Sequence, residues 1–210
     1  MSPSNPIRIL SVDDHPMLRE GIAAVLGAED DMVLVAEASN GREAVEQFRT
    51  HRPDVTLMDL QLPQMSGLDT VRAIKRVQPD ARIIVLTMYQ GEEDIFRAMQ
   101  EGATSYLLKD SLFDDLATRI REVHTGEGRL PPAIETRLAE RKHHKTLSPR
   151  ERQIVELIAE GMRNKEIAAA LGISEETVQV HMRHLFSKLG VKDRTAVLTV
   201  AARRGLIHLP

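Results

Sequence analysis

The stretch "DVTLMDLQLPQMSG", residues 54–67, decides the reading of the first half of the chain. Val55, Leu57 and Met58 form an apolar run of the length of a strand buried on both faces. The run ends in the carboxylate of Asp59, and a loop holding Pro63 and closing on Gly67 follows. A lone carboxylate is costly to bury, so Asp59 is expected at the strand's carboxyl end, in a crevice.

The same pattern repeats on either side of that stretch. "IRILSVDD" (7–14), "MVLVAEA" (32–38), "ARIIVLT" (81–87) and "TSYLLK" (104–109) are short, apolar and rich in β-branched residues. "PMLREGIAAVLG", "GREAVEQFRTH", "GLDTVRAIKRV" and "EEDIFRAMQEG" lie between the strands, with apolar residues three and four apart, and a closing helix runs from Leu112 to His124. Five strands alternating with five helices predict a doubly wound parallel sheet over residues 1–125. Asn40 and Ser66 are the expected N-caps of the second and third helices. Residues 126–145, with Gly, Pro and a basic His-containing end, read as a linker around one short helix. Residues 146–210 read as four helices. "LSPRERQIVELIAEG" carries a capping box, with Ser148 at the cap, Pro149 in the first turn and Glu151 three after the serine.

Composition narrows the function classes. The 210 residues include no Cys, which excludes disulfides and thiolate chemistry. No apolar run approaches a membrane span and the N-terminus has no signal-like segment, so a cytoplasmic protein is expected. The net charge of -3 is unevenly spread. Residues 1–125 hold 13 Lys+Arg against 21 Asp+Glu, a net of -8; residues 146–210 hold 10 against 7, a net of +3. An acidic module joined to one that meets a polyanion fits that asymmetry.

In the predicted sheet, Asp13-Asp14 and Asp59 end neighbouring strands. Two unit charges about 4 Å apart repel by about 4 kcal/mol at an effective dielectric of about 20. Three such carboxylates require a cation, and an oxygen donor set favours Mg²⁺ over Zn²⁺. A metal-bound strand-end carboxylate can act as a nucleophile toward a phosphoryl group. Thr87 and Lys109 end the fourth and fifth strands at the same edge, supplying a hydroxyl and a cation. Each of these residues alone has an ordinary explanation as a cap, a strand residue or a solvated charge; four strand ends in this order do not. His15 follows the acidic pair but starts a helix, and is assigned a supporting place at most. His143 and His144 read as solvated linker charge.

With "VDDHP", "LMDLQLPQMSG", "LT" and "LLKD" in these places, residues 7–125 resemble the receiver domain of two-component response regulators, a flavodoxin-like fold. The resemblance implies that Asp59 accepts a phosphoryl group from a sensor histidine kinase. It implies that Asp13, Asp14, Asp59 and the Gln61 backbone carbonyl hold Mg²⁺. Thr87 would close on the phosphoryl group, Lys109 would pair with it, and Tyr106 would swing inward with Thr87. Asp110 stands where many receivers have a Pro in a cis peptide, which leaves the Lys109–Asp110 bond open between cis and trans.

In the tail, Leu157, Ile158, Ile167, Ala168, Leu171, Val178, Met182, Leu185 and Leu189 recur at helical spacing and are the expected core. The longer helix from Ser174 then turns Thr177, Gln179, Val180, Arg183, His184 and Ser187 outward. Gln and Arg can read base edges in pairs of hydrogen bonds, and Val can touch a thymine methyl. Residues 147–207 resemble the LuxR-type helix-turn-helix over essentially its full length. Together the two resemblances place the chain with NarL/FixJ-type response regulators, which are not enzymes. They imply base contacts from Gln179, Val180 and Arg183 on double-stranded DNA, with Lys165, Thr177 and Lys188 nearer phosphates. A homodimer formed on phosphorylation or DNA binding is expected, with Val197, Val200 and Ala201 of the last helix as its pairing surface in the tail. Many relatives carry Lys where Gln179 stands, so their DNA preferences do not transfer. Two other classes stay open on the residues. A phosphohydrolase of the haloacid-dehalogenase kind would need an acid/base Asp at Gln61 and leaves the basic tail unexplained. A constitutive scaffold leaves the intact acidic set unexplained.

Overall fold

The computed structural model describes residues 5–88, 91–127, 130, 132–141 and 144–207. The chain divides into two compact units, Met1–Tyr89 with Ile95–Ile134, and Gln90–Asp94 with Glu135–Pro210.

The sheet domain contains β1 (Ile7–Val12), β2 (Met32–Ala38), β3 (Val55–Asp59), β4 (Arg82–Thr87) and β5 (Ser105–Leu108), all parallel, in the order β2-β1-β3-β4-β5. Helices α1 (Pro16–Gly27), α2 (Gly41–His51), α3 (Gly67–Val77), α4 (Glu92–Gln100) and α5 (Leu112–Thr125) connect and close it. Successive strand residues point to opposite faces, and the core divides accordingly. Ile9, Leu57, Ile84 and Leu86 pack with Ile22, Leu26, Leu112, Leu116 and Ile120 on one side. Leu10, Met58 and Ile83 pack with Phe48, Val71 and Ile74 on the other. Both faces are covered, which is why the strands read as unbroken apolar runs. Asn40 and Ser66 cap α2 and α3, accepting from the backbone N–H groups of Glu43 and Asp69.

The observed strands are shorter than expected at the edge that matters. Asp13 and Asp14 lie beyond β1, and β5 ends at Leu108 with Lys109 opening a single 3-10 turn, Lys109–Ser111. The Lys109–Asp110 peptide is trans, there being no cis bond among the described residues.

The stretch expected as a linker holds α6 (Pro132–Arg141). The helical domain contains α7 (Pro149–Ala159), α8 (Asn164–Leu171), α9 (Glu175–Leu189) and α10 (Arg194–Arg203). Ser148 and Glu151 form the expected capping box on α7. Ile158, Ile167, Ala168, Val178, Met182, Leu185 and Leu189 are buried together with Ile154 and Val155, and Leu157 and Leu171 pack against them partly covered. Gly172 makes the turn between α8 and α9 at φ +64, a left-handed position that costs other residues about 1–2 kcal/mol. The expected pairing surface on α10 is a correction. Val197 and Ala201 are wholly buried in the domain's own core and Val200 is partly buried against it, so that face is already spent.

Candidate functional site

Strand register brings the site together. Val12 pairs with Met58, so Asp13 emerges beside Asp59. Asp59 pairs with Leu86, so Thr87 comes next across the sheet. Thr87 pairs with Leu108, which delivers Lys109. Residues 13, 59, 87 and 109 thus step across one carboxyl edge, where open α/β sheets bind ligands.

Lys109 Nζ stands 2.7 Å from Asp13 Oδ2 and 2.8 Å from Asp59 Oδ2. Asp13 is wholly buried and Asp59 is 2% exposed. Burial pushes the Asp59 carboxyl up from its ordinary value; the Lys109 ammonium offsets part of that, and the Asp13 charge adds to it. Burial alone would push Lys109 down, but its bonds to Asp13 and Asp59 win and raise it, so it stays a cation. The Gln61 backbone N–H donates to Asp59 Oδ1 at 3.2 Å. Gly67 returns the loop so close under Asp59 that an added Cβ would collide with the Asp59 carbonyl oxygen and the Leu60 Cα.

Asp14 is exposed at the mouth, and the ligand atoms of Asp13, Asp14, His15 and Asp59 lie within 4.8 Å of one another. Three carboxylates against one ammonium leave a formal charge of about -2 at the pocket, which a divalent cation would balance. The acidic set therefore fits such an ion. Thr87 is 2% exposed at the end of β4. Tyr106 is wholly buried, paired across the sheet with Val85, so its ring already stands inward in this structure. The residues alone gave His15 little weight, yet its Nδ1 lies 2.8 Å from Asp14 Oδ1 and 3.1 Å from Asp13 Oδ1. Arg19 carries no signal in the local sequence, yet one turn into α1 its guanidinium donates to the Asp13 carbonyl at 2.7 Å and braces the acidic peptide.

In the helical domain Gln179, Val180 and Arg183 are exposed along α9, and Lys165 is exposed near the start of α8. Thr177 is half-buried in the first turn of α9, its N–H donating to the Ser174 hydroxyl at 3.2 Å. Lys188 differs from expectation. Its ammonium is held 2.7 Å from Glu151 Oε2 and donates to the Thr146 carbonyl at 3.1 Å. Glu151 is 3% exposed and needs that cation. Burial alone would raise its carboxyl, but the bonds from Lys188 and Ser148 hold it below the ordinary range.

Comparison with known proteins agrees with both halves. Residues 9–121 match the model of the response regulator receiver domain, and residues 145–201 match that of the bacterial regulatory proteins of the luxR family. The chain is 39% identical over 203 residues to the nitrate/nitrite response regulator protein NarL of Escherichia coli K12, covering 92% of this chain and 94% of that one. It is 34% identical over 208 residues to the response regulator protein VraR of Staphylococcus saprophyticus, covering 97% and 100%. Among solved structures it resembles RcsB of Salmonella enterica serovar Typhimurium bound to promoter DNA in the presence of the phosphomimetic BeF3⁻. That match has a TM-score of 0.71 and 26% identity, and covers 95% of this chain and 99% of that one. A receiver-type acidic pocket on a flavodoxin-like sheet and a luxR-family helix-turn-helix in one chain make this protein a member of the NarL/FixJ-type two-component response regulators, a family of DNA-binding transcriptional regulators and not of enzymes.

Proposed function

We propose that the protein is a phosphorylation-switched transcriptional regulator whose acceptor is Asp59. The observation that carries this reading is the buried Asp59 carboxylate, set between Asp13 and Lys109 at the edge of the sheet. A sensor histidine kinase is the proposed donor. An Asp59 oxygen attacks the phosphorus, the bond from phosphorus to the donor imidazole breaks, and the freed imidazole takes up a proton. Asp13, Asp14, Asp59 and the Gln61 carbonyl would hold Mg²⁺, which when bound supplies charge neutralisation at the transferring group. Lys109 is within reach of the new phosphoryl oxygens because it already holds Asp59, and the Thr87 hydroxyl sits on the adjacent strand end. The phosphoryl group carries about 1.5–2 negative charges on three acceptor oxygens where the carboxylate carried one charge, enough to redirect both groups. Gln61 offers no carboxylate for general acid/base hydrolysis, which favours a lasting aspartyl phosphate over turnover.

The proposed organisation is a receiver over 1–125, a linker over 126–145 and a DNA-binding domain over 146–210, in a cytoplasmic protein that acts on DNA as a homodimer. Gln179, Val180 and Arg183 are the proposed base readers, with Lys165 and Thr177 at phosphates. Lys188 is assigned to phosphates only as a contact shared with Glu151.

The test is incubation of the full chain with acetyl phosphate and Mg²⁺, read by intact-mass and peptide mass spectrometry. One phosphoryl group on Asp59 is expected, lost in Asp59→Asn and without Mg²⁺. Labelling elsewhere that survives Asp59→Asn refutes the assignment, and continuous release of phosphate favours the hydrolase instead.

A further inference from the structure

We infer that His15 is a further ligand of the cation pocket, coordinating through Nδ1, and that this nitrogen makes the pocket favour Mn²⁺ over Mg²⁺. The inference rests on the proposal that the pocket binds a divalent ion and concerns which ion and which atoms.

The geometry comes first. Nδ1 stands 2.8 Å from Asp14 Oδ1 and 3.1 Å from Asp13 Oδ1. Neighbouring ligands of an octahedral ion with bonds of about 2.1 Å are separated by about 3 Å. The ring nitrogen therefore already stands from each of the two carboxylate oxygens at the spacing of neighbouring ligands.

The backbone holds the ring there. The His15 N–H donates to Asp13 Oδ1 at 2.9 Å, and its carbonyl accepts from Leu18 and Arg19 at 3.2 Å each. Pro16 follows at the first helical position and confines His15 to the extended conformation observed, φ -89 and ψ 109. The imidazole makes no capping bond to α1; its Nδ1 is held instead against the Asp13 and Asp14 carboxylates.

Charge and donor chemistry complete the argument. The carboxylates and Lys109 already leave a charge that a dication balances, so a neutral imidazole adds a donor without adding charge. It then discriminates by donor type. Mg²⁺ prefers oxygen and gives up its waters reluctantly, whereas affinity of nitrogen-containing sites rises along the first-row series from Mn²⁺ upward. Mn²⁺ is the sharpest probe because it also accepts the oxygen ligands and is visible by electron paramagnetic resonance.

The experiment uses the full chain in mildly alkaline buffer, wild type against His15→Ala, with Asp14→Asn as the pocket control. Mn²⁺ binding is titrated by the loss of the free-ion resonance, Mg²⁺ by its displacement of Mn²⁺, and bound Mn²⁺ is examined by pulsed resonance for coupling to ¹⁴N. Losing even an indirect partner of a metal costs 10–100-fold in affinity, so His15→Ala should weaken Mn²⁺ by at least about tenfold. The variant should change Mg²⁺ affinity much less, and the ¹⁴N coupling present in the wild type should vanish. Asp14→Asn should weaken both ions. Bound Mn²⁺ without ¹⁴N coupling, or equal loss of both ions in His15→Ala, overturns the inference and leaves the pocket proposal standing. No Mn²⁺ or Mg²⁺ binding to the wild type overturns both.

Discussion

Lys109→Met removes the cation that holds the acidic pocket together while keeping most of the side chain's volume. In the structure the ammonium serves two carboxylates at 2.7 and 2.8 Å, and neither carboxylate side chain is more than 3% exposed. At such distances and an effective dielectric of about 20, each contact is worth about 6 kcal/mol of Coulomb attraction. Desolvating the ammonium costs several kcal/mol of that gain, but the variant leaves the carboxylates buried and facing each other. Breaking one side of a buried ion pair costs about 3–5 kcal/mol, and that is the loss expected without divalent cation. It is a large share of the 5–15 kcal/mol typical of a domain. The chain has no Trp, and its two Tyr, at 89 and 106, both fall within residues 1–125 of the sequence, so tyrosine fluorescence follows that half in urea. A shift of the midpoint by roughly 2 M is expected. The deficit should shrink as pH falls. Asp59 is raised in the fold, so its protonated form folds preferentially, and the stability it contributes is lost as pH rises from the ordinary value of 3.8 through the folded value. Without Lys109 that window moves further up. Mg²⁺ should restore part of the loss. A deficit under about 1 kcal/mol in the absence of Mg²⁺, unchanged by pH, would refute the claim that Lys109 neutralises this pocket.

Three further outcomes follow from other parts of the molecule. Gly67→Ala should destabilise the sheet domain by about 1–3 kcal/mol, because the added methyl meets backbone atoms that no rotamer change relieves; an unshifted tyrosine-monitored midpoint contradicts the close approach. Glu151 is held below its ordinary value of 4.5, so its contribution is present above that pH and is lost as pH falls through the folded value. Protection factors of α7 and α9 amides, taken against the intrinsic exchange rate at each pH, should therefore fall on acidification in the wild type, and Glu151→Gln should flatten that response. On an operator selected for the protein, Arg183→Ala should cost about 1–3 kcal/mol and relax specificity, whereas Lys165→Ala should weaken all sequences alike and reduce the salt slope by about 1. Fluorescence anisotropy across salt concentrations separates the two, and identical behaviour of the variants contradicts the placement of α9.

Much of this was legible because the relevant signals are local. Apolar runs ending in Asp59 and Thr87, caps at Asn40, Ser66 and Ser148, and glycines after α8 and α9 each act within a few residues. Their sum was enough to place the acidic pair, Asp59, Thr87 and Lys109 along one edge. What was not legible depends on partners far away in the chain. Lys188 looked like a free cation, because nothing near it in sequence announces Glu151, 37 residues earlier. Val197 and Ala201 formed an apolar stripe that would suit a partner surface or a core equally, and only packing against the rest of the helical domain decides between them. His15 was discounted because it begins a helix; the ring's position depends on how Pro16 and the Asp13 carboxylate fix the backbone, which periodicity does not reveal.

The strand order also sets a timetable for the newborn chain. Asp59 and its counter-cation are 50 residues apart, and the strand that leads to Lys109 is the last of the five to be made. At about 5–20 residues per second, the carboxylates precede the ammonium off the ribosome by about 3–10 seconds. During that interval β1 and β3 can meet only by bringing like charges together. The Asp59 pocket thus remains poorly formed until β5 arrives, and a nascent or truncated product ending before residue 109 carries Asp59 without its counter-cation.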